Sequence, residues 1–241
     1  MKIALFSDVH ANLPAFKSFL KSLDKERADA VYCLGDLVGY NVWPNEVIAE
    51  IRRRGIPAIA GNHDVKLRKV IADSTGKNHA YSIISEENRN YLTSLPAHIR
   101  LEYQPGTTPL TVLLVHGSPK SNDEYILADL DENYVRALLV ECKADILICA
   151  HSHKPYHRVI SNYDGSSFYH IINTGSVGKP KDGNPKGVYV LLSLDENSCP
   201  SIKESIEVDF IRFEYDVEEA AKAIEASPLP AEFADRLRKA Y

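Results

Sequence analysis

Aspartate, asparagine and histidine recur where short apolar runs of this sequence stop. Asp8 and His10 follow residues 3–6, Asp36 follows 29–34, and Asn62-His63-Asp64 follows 56–60; His116 follows 110–115, and His151 and His153 follow 145–150. One such residue would be a cap or a turn, and Gly61-Asn62-His63-Asp64 alone is as readily a turn as a site. Five strand ends alter that balance. Positions i and i+2 of an extended segment face the same side, so Asp8 with His10, and His151 with His153, can address a common centre. Carboxylate, carboxamide and imidazole are oxygen and nitrogen donors without a thiolate, a set that suits Mn, Fe, Zn, Co or Ni. The groups outnumber the needs of one four- to six-coordinate ion that also binds water. Two divalent ions sharing a carboxylate is the economical expectation.

The elements that must carry these residues can be read from hydrophobic period. Residues 2–7, 29–34 and 56–60 read as strands, with amphipathic helices over 12–23 and 44–54 between them. This βαβαβ rhythm predicts parallel strands and crossover helices. Asn12 is placed to cap the first helix, with Pro14 in its first turn. A polar, mainly helical segment is expected over 65–96. Residues 99–103 and 110–116 flank Gln104-Pro105-Gly106 as one hairpin, and 157–163 with 167–172 flank Asp164-Gly165 as another. A helix over 131–142, strands over 188–194 and 202–208, and helices over 216–226 and 231–239 complete the expectation. No internal repeat or linker interrupts it.

The chain has 241 residues, 44% apolar and 25% charged, with a formal net charge of −5. That describes a folded protein without a general attraction to nucleic acid or anionic membrane. Arg52-Arg53-Arg54 ends a predicted helix, where cations complement the dipole. Cys33, Cys142, Cys149 and Cys199 form no CxxC pair. No run is long enough for a membrane span or a signal sequence, and a reducing cytoplasm is the expected location.

The motifs Asp8-Val9-His10, GDLVGY (35–40), GNHD (61–64), VHGS (115–118) and AHSH (150–153) resemble those of the calcineurin-like metallophosphoesterase superfamily. GDLVGYNVWPNEVI and NTGSVGKPKDGNPKG make the chain more similar to the small bacterial and archaeal phosphodiesterases than to the large protein phosphatases. The resemblance implies an α/β fold: a four-layer αββα sandwich of two mixed β-sheets flanked by helices. It would form one domain over 1–241, with C-terminal helices over 216–241 packed on it. It further implies that Asp8, His10 and His153 hold one divalent ion, that Asn62, His116 and His151 hold a second, and that Asp36 bridges them. Manganese is favoured. His63 would meet the phosphate or leaving group, with Asp64 orienting it.

The implied activity is hydrolysis of a small phosphate diester or nucleotide by a hydroxide bridging the two ions. Phosphomonoester or dinucleotide polyphosphate hydrolysis is the near alternative. A non-catalytic scaffold, as in the retromer subunit that resembles this family, is the alternative from another class. Long nucleic acid is not an expected substrate, because no basic track is evident. Two departures from the family pattern stand out: Ala11 and Ala150 replace commonly found glycines, and either would be strained at positive φ. Trp43 is expected to pack. His79, His98, His157 and His170 are expected in structural or surface roles, His79 being the exception most able to cap the site. Asn173 to Gly178 reads first as a glycine-rich turn, with backbone contact to phosphate as the alternative.

Overall fold

A computed structural model describes residues 1–67, 76–104 and 106–241. Its first unit is strand β1 (Lys2–Phe6), helix α1 (Leu13–Glu26), β2 (Ala30–Cys33) and α2 (Pro44–Arg53), with β1 and β2 parallel as the rhythm predicts. Asn12 caps α1 by accepting the Ala15 N–H at 3.1 Å, and Pro14 falls in the first turn. The arginines ending α2 are spent on acidic partners: Arg53 and Arg54 bind Glu50, Arg54 also binds Asp24, and Arg52 binds Glu87.

The third expected strand, 56–60, is corrected. It runs alongside β2 but contributes only an isolated parallel bridge, Cys33 to Ala58. Pro57 has no N–H to donate to a ladder, so pairing is confined to Cys33 N–H on Pro57 O and Ile59 N–H on Cys33 O. Short helices α3 (Asn62–Lys66), α4 (His79–Ser82) and α5 (Glu86–Ser94) occupy the polar segment. Part of that helical expectation, 68–75, and Pro105 of the first turn signal lie outside the described residues.

Both hairpins form. β3 (His98–Tyr103) pairs antiparallel with β4 (Leu110–Val115), and β6 (Tyr156–Ser161) with β7 (Phe168–Asn173). Between them stand α6 (Glu132–Cys142) and β5 (Ile146–Cys149), giving a mixed five-stranded sheet in the order β3-β4-β5-β7-β6. β8 (Gly187–Ser193) and β9 (Glu207–Phe213) complete a four-stranded sheet, β2-β1-β8-β9. The expected strand over 202–208 therefore starts late. Residues Lys203–Ser205 form a 3-10 turn, and the apolar alternation that pairs with β8 lies beyond it.

Three apolar layers organise these parts. Ile3, Leu5, Val190 and Leu192 meet Val112, Leu114, Ile146 and Ile148 between the sheets. Phe6, Phe16, Phe19 and Ile48 join the outer face of the first sheet to α1 and α2, while Leu113, Leu147, Leu138 and Leu139 join the second sheet to α6. This is the expected αββα sandwich of two mixed sheets. Helices α7 (Val217–Glu225) and α8 (Glu232–Lys239) pack Ile224, Phe233 and Leu237 against Tyr40, Val42 and Trp43, so the tryptophan has the packing role expected of it. Among the described residues, no helix is long and apolar enough to cross a membrane.

Candidate metal centre

The ends of β1, β2, β4 and β5 converge on one edge of the sandwich. Asp8 and His10 emerge past β1, Asp36 past β2, His116 directly from β4, and His151 and His153 past β5. Their side chains assemble into two groups able to hold a cation, Asp8–His10–His153 and Asp36–His116–His151. Asn62 joins the second, its Oδ1 lying 3.2 Å from His116 Nε2. The sequence-predicted ligands thus lie together. A third grouping brings His63 near His10 and Asp36.

The surrounding hydrogen bonds aim these groups. Asp8 Oδ2 accepts from Ser7 Oγ at 2.6 Å and from the His151 N–H at 3.3 Å, leaving Oδ1 facing His153 Nε2 at 3.0 Å and His10 Nε2 at 3.4 Å. Asp36 Oδ1 accepts the His63 N–H at 2.8 Å, while Oδ2 faces His116 and His10 Nε2 at 3.4 and 3.6 Å. Both free oxygens, Asp8 Oδ1 and Asp36 Oδ2, are buried without a hydrogen bond. Meanwhile His10 Nδ1 lies 3.0 Å from Val38 O, His116 Nδ1 2.8 Å from Leu34 O, and His153 Nδ1 2.5 Å from Lys179 O. A carbonyl only accepts, so each Nδ1 carries a proton and each Nε2 is turned inward, where it offers a metal its lone pair once any proton on it has been displaced. Bare anionic oxygens and convergent imidazole nitrogens, buried together, need positive charge among them, supplied by a bound cation or by a proton such as the one His116 takes up beside Asp36. The residues fit a divalent metal site.

Ionisation follows the same crowding. Burial raises Asp8 and Asp36, but neighbouring histidines, His153 for Asp8 and His116 for Asp36, outweigh it and hold both well below the usual carboxylate range. Burial lowers His116, yet the adjacent Asp36 charge carries it up to about 10. Burial brings His153 down to about 4 and His63 to about 3. Lys179, only 1% exposed, is pressed by burial and then by the charges of Lys181 and Arg236 to about 7.

The backbone is contorted to make this edge. Asp8, His10, Asp36, His151 and His153 all have φ between 49° and 63°, a left-handed conformation that side chains rarely adopt. Five of the seven expected ligands are therefore held under local strain, a pattern common at functional sites. Ala11, with φ of 54°, shares it, whereas Ala150 does not. Of the two departures from glycine, only Ala11 carries the conformational penalty. Gly61 has an ordinary φ of −84°, but a Cβ there would stand 2.1 Å from Asp36 Oδ1. Its absence of a side chain makes room for the carboxylate.

Two expected roles change. Asp64 does not touch the His63 ring: its Oδ2 accepts the N–H groups of Asp36 and Gly61 at 2.8 and 2.9 Å, and Oδ1 that of Leu37 at 3.0 Å. It ties the loop bearing Asp36 to the turn bearing Asn62. The group at His63 Nδ1 is the Tyr81 hydroxyl, 2.5 Å away. The polar segment does reach the site, through Tyr81; among the described residues the bonds of His79 are backbone ones at the start of α4. Tyr81 has no motif, and its only sequence signal is being a large aromatic in a polar stretch.

The other expectations resolve simply. His98 is exposed on β3, and His157 Nε2 bonds His170 Nδ1 at 2.9 Å across the second hairpin. In the glycine-rich segment, Val177 N–H donates to Ser7 O and Gly178 N–H to Asp8 O, while Ser176 Oγ also donates to Asp8 O. Those amides brace the strained turn at Asp8. Sequence reasoning missed Tyr40, whose ring lies 4.8 Å from both His10 and His63, and Tyr125, stacked on His151 at 4.1 Å.

Comparison with known proteins agrees with this geometry. Residues 1–197 match the calcineurin-like phosphoesterase superfamily domain. The chain is 29% identical to the uncharacterized protein MJ0912 of Methanocaldococcus jannaschii, covering 98% of this chain and 96% of that one. A metallophosphoesterase from Sphaerobacter thermophilus superposes with a TM-score of 0.78 at 28% identity, covering 100% of both chains. The hypothetical protein PH1004 from Pyrococcus horikoshii OT3 gives 0.76 at 24% identity, covering 98% of this chain and 97% of that one. With such coverage, and a cluster of aspartates and histidines suited to a divalent metal, the chain belongs to the calcineurin-like phosphoesterase superfamily.

Proposed function

We propose that this protein is a dinuclear-metal phosphodiesterase acting on small phosphate esters or nucleotides. The observation that carries the reading is the pair of bare buried oxygens, Asp8 Oδ1 and Asp36 Oδ2, facing histidine nitrogens whose opposite ring atoms are pinned to carbonyls. Asp8, His10 and His153 would hold one ion, Asn62, His116 and His151 the other, and Asp36 both. Manganese is the favoured metal. Such ions, when bound, acidify water and neutralise phosphate oxygens, which lets a net-acidic protein accept an anionic ester.

His63 supplies a donor. Its Nδ1 is occupied by the Tyr81 hydroxyl, and a phenol that donates there leaves the ring proton on Nε2. Burial keeps the ring neutral, at about 3. A neutral imidazole offers an N–H hydrogen bond to a phosphoryl or leaving oxygen rather than a readily transferred proton. Asp64 contributes indirectly, by fixing the two backbone turns. With no extended basic track, small substrates are favoured over duplex nucleic acid.

The test is turnover of a panel of mono- and diesters with defined metals, alongside elemental analysis. About two ions per chain, diester preference and loss of both ions in Asp36→Asn are expected. Monoester preference would make the protein a phosphomonoesterase. Absence of turnover with both ions bound would favour a scaffold.

A further inference from the structure

Lys179 lies beside the metal centre with no acidic partner. Its side chain is 1% exposed, no ion pair or hydrogen bond of its ammonium group is found among the described residues, and Nζ rests over the Tyr40 ring at 4.8 Å. That ring also meets His10 and His63, so the cation borders the candidate metal site. Two further cations flank the same wall. Lys181, whose N–H donates to His153 O at 3.3 Å, feels the charges of Asp8 and Asp36. Arg236 packs over Phe233 at 5.6 Å, and Phe233 meets Tyr40 at 5.2 Å. Arg236 has one acidic contact, Glu232 Oε1 at 3.3 Å. Gly183 N–H on Ala240 O, at 3.0 Å, ties the loop that carries Lys179 and Lys181 to the end of α8, which carries Arg236.

Neighbouring cations, one of them buried and without an ion pair among the described residues, are costly to hold together unless an anion completes them. The carboxylates at the metal centre attract these cations without pairing with them: Asp8 acts on Lys179 and, with Asp36, on Lys181, but their anchored oxygens accept from Ser7, His151 and His63 and their free oxygens face imidazoles. We propose that Lys179, Lys181 and Arg236 form a second anion subsite, which receives another phosphate of a substrate whose first phosphate occupies the metal centre. The proposal rests on the phosphoesterase reading and narrows its substrate to compounds with two or more linked phosphates, such as nucleoside polyphosphates. The Tyr40 wall supplies an apolar surface between the two anion positions, and the cations supply charge-assisted hydrogen bonds.

The experiment compares AMP and ADP, which share base and ribose and differ by one phosphate, by calorimetry on the metal-loaded protein. Wild type is expected to bind ADP at least tenfold more tightly than AMP. Lys181→Gln and Arg236→Gln, both at partly exposed positions, and Lys179→Met, which keeps the buried volume, should each reduce that ratio by about tenfold, the scale of one charge-assisted hydrogen bond. Metal content measured in the same samples should be unchanged. A wild type that binds the two nucleotides equally, or variants that weaken both by the same factor, would overturn the subsite. Hydrolysis of esters by a protein that does not discriminate ADP from AMP would reject the subsite and leave the phosphoesterase reading standing. Discrimination lost in the variants, by a protein that hydrolyses no ester, would do the reverse.

Discussion

The hydroxyl of Tyr81 and Nδ1 of His63 stand 2.5 Å apart, joining α4 to the first turn of α3. A phenol whose own ionisation is pushed up by burial keeps its proton, and on the proposed reading it gives that proton's hydrogen bond to Nδ1 and so selects the tautomer with N–H at Nε2. Tyr81→Phe should keep the ring packing and the metals while releasing that tautomer. Turnover should fall about tenfold or more, the scale of losing one buried hydrogen bond. An unchanged kcat with an intact fold would detach Tyr81 from the site.

His63→Ala tests the donor itself. Metal content should stay near wild type, and turnover should drop by about 10²–10³, as for removal of one preorganised donor. Because the neutral ring gives a hydrogen bond rather than a proton, the loss should be similar for aryl and alkyl leaving groups. A loss confined to poor leaving groups would identify His63 as a general acid instead.

Asp64→Asn should act through stability. Three backbone N–H groups converge on its two oxygens, and the amide can present only one oxygen, so at least one buried donor loses its acceptor. That costs about 1–3 kcal/mol, read as a fall in Tm, with weaker metal retention because Asp36 is no longer held to the Asn62 turn. Equal Tm and equal metal content would refute this bracing role.

Gly61→Ala isolates sterics from conformation. The backbone at Gly61 is one alanine adopts freely, so the objection is the Cβ placed 2.1 Å from Asp36 Oδ1. Displacing that carboxylate should strip metal and activity together, the outcome also expected of Asp36→Asn. Wild-type metal content in a folded Gly61→Ala protein would mean that Asp36 can move without consequence.

Much of the centre was legible because each expected ligand ends or closely follows an apolar run, and burial makes such runs conspicuous. The same signal marked the parallel strands and crossover helices of the first unit, whereas the two-sheet sandwich came from the family resemblance. What escaped notice depends on side chains meeting across distant elements: Tyr81 reaching His63, Lys179 lying on Tyr40, and α8 closing the wall behind them. Asp64 shows a different limit. The family resemblance implied that it orients the neighbouring imidazole, but whether a carboxylate faces a ring or a backbone depends on a turn geometry that composition does not encode. Residues 56–60 misled through their apolar character, which reflects burial at Ile59 and Ala60 rather than full pairing.

The left-handed backbone at Asp8, His10, Asp36, His151 and His153 also bears on how such a protein can drift. Glycine and asparagine are the residues that conformation favours, so the easiest replacements at these positions delete a ligand or exchange it for a neutral, weaker one while relieving strain. Selection for the reaction and selection for the fold therefore pull opposite ways at the same codons. A lineage released from catalysis would lose its ions early and keep the sandwich, turning the strained edge into relaxed surface open to other uses.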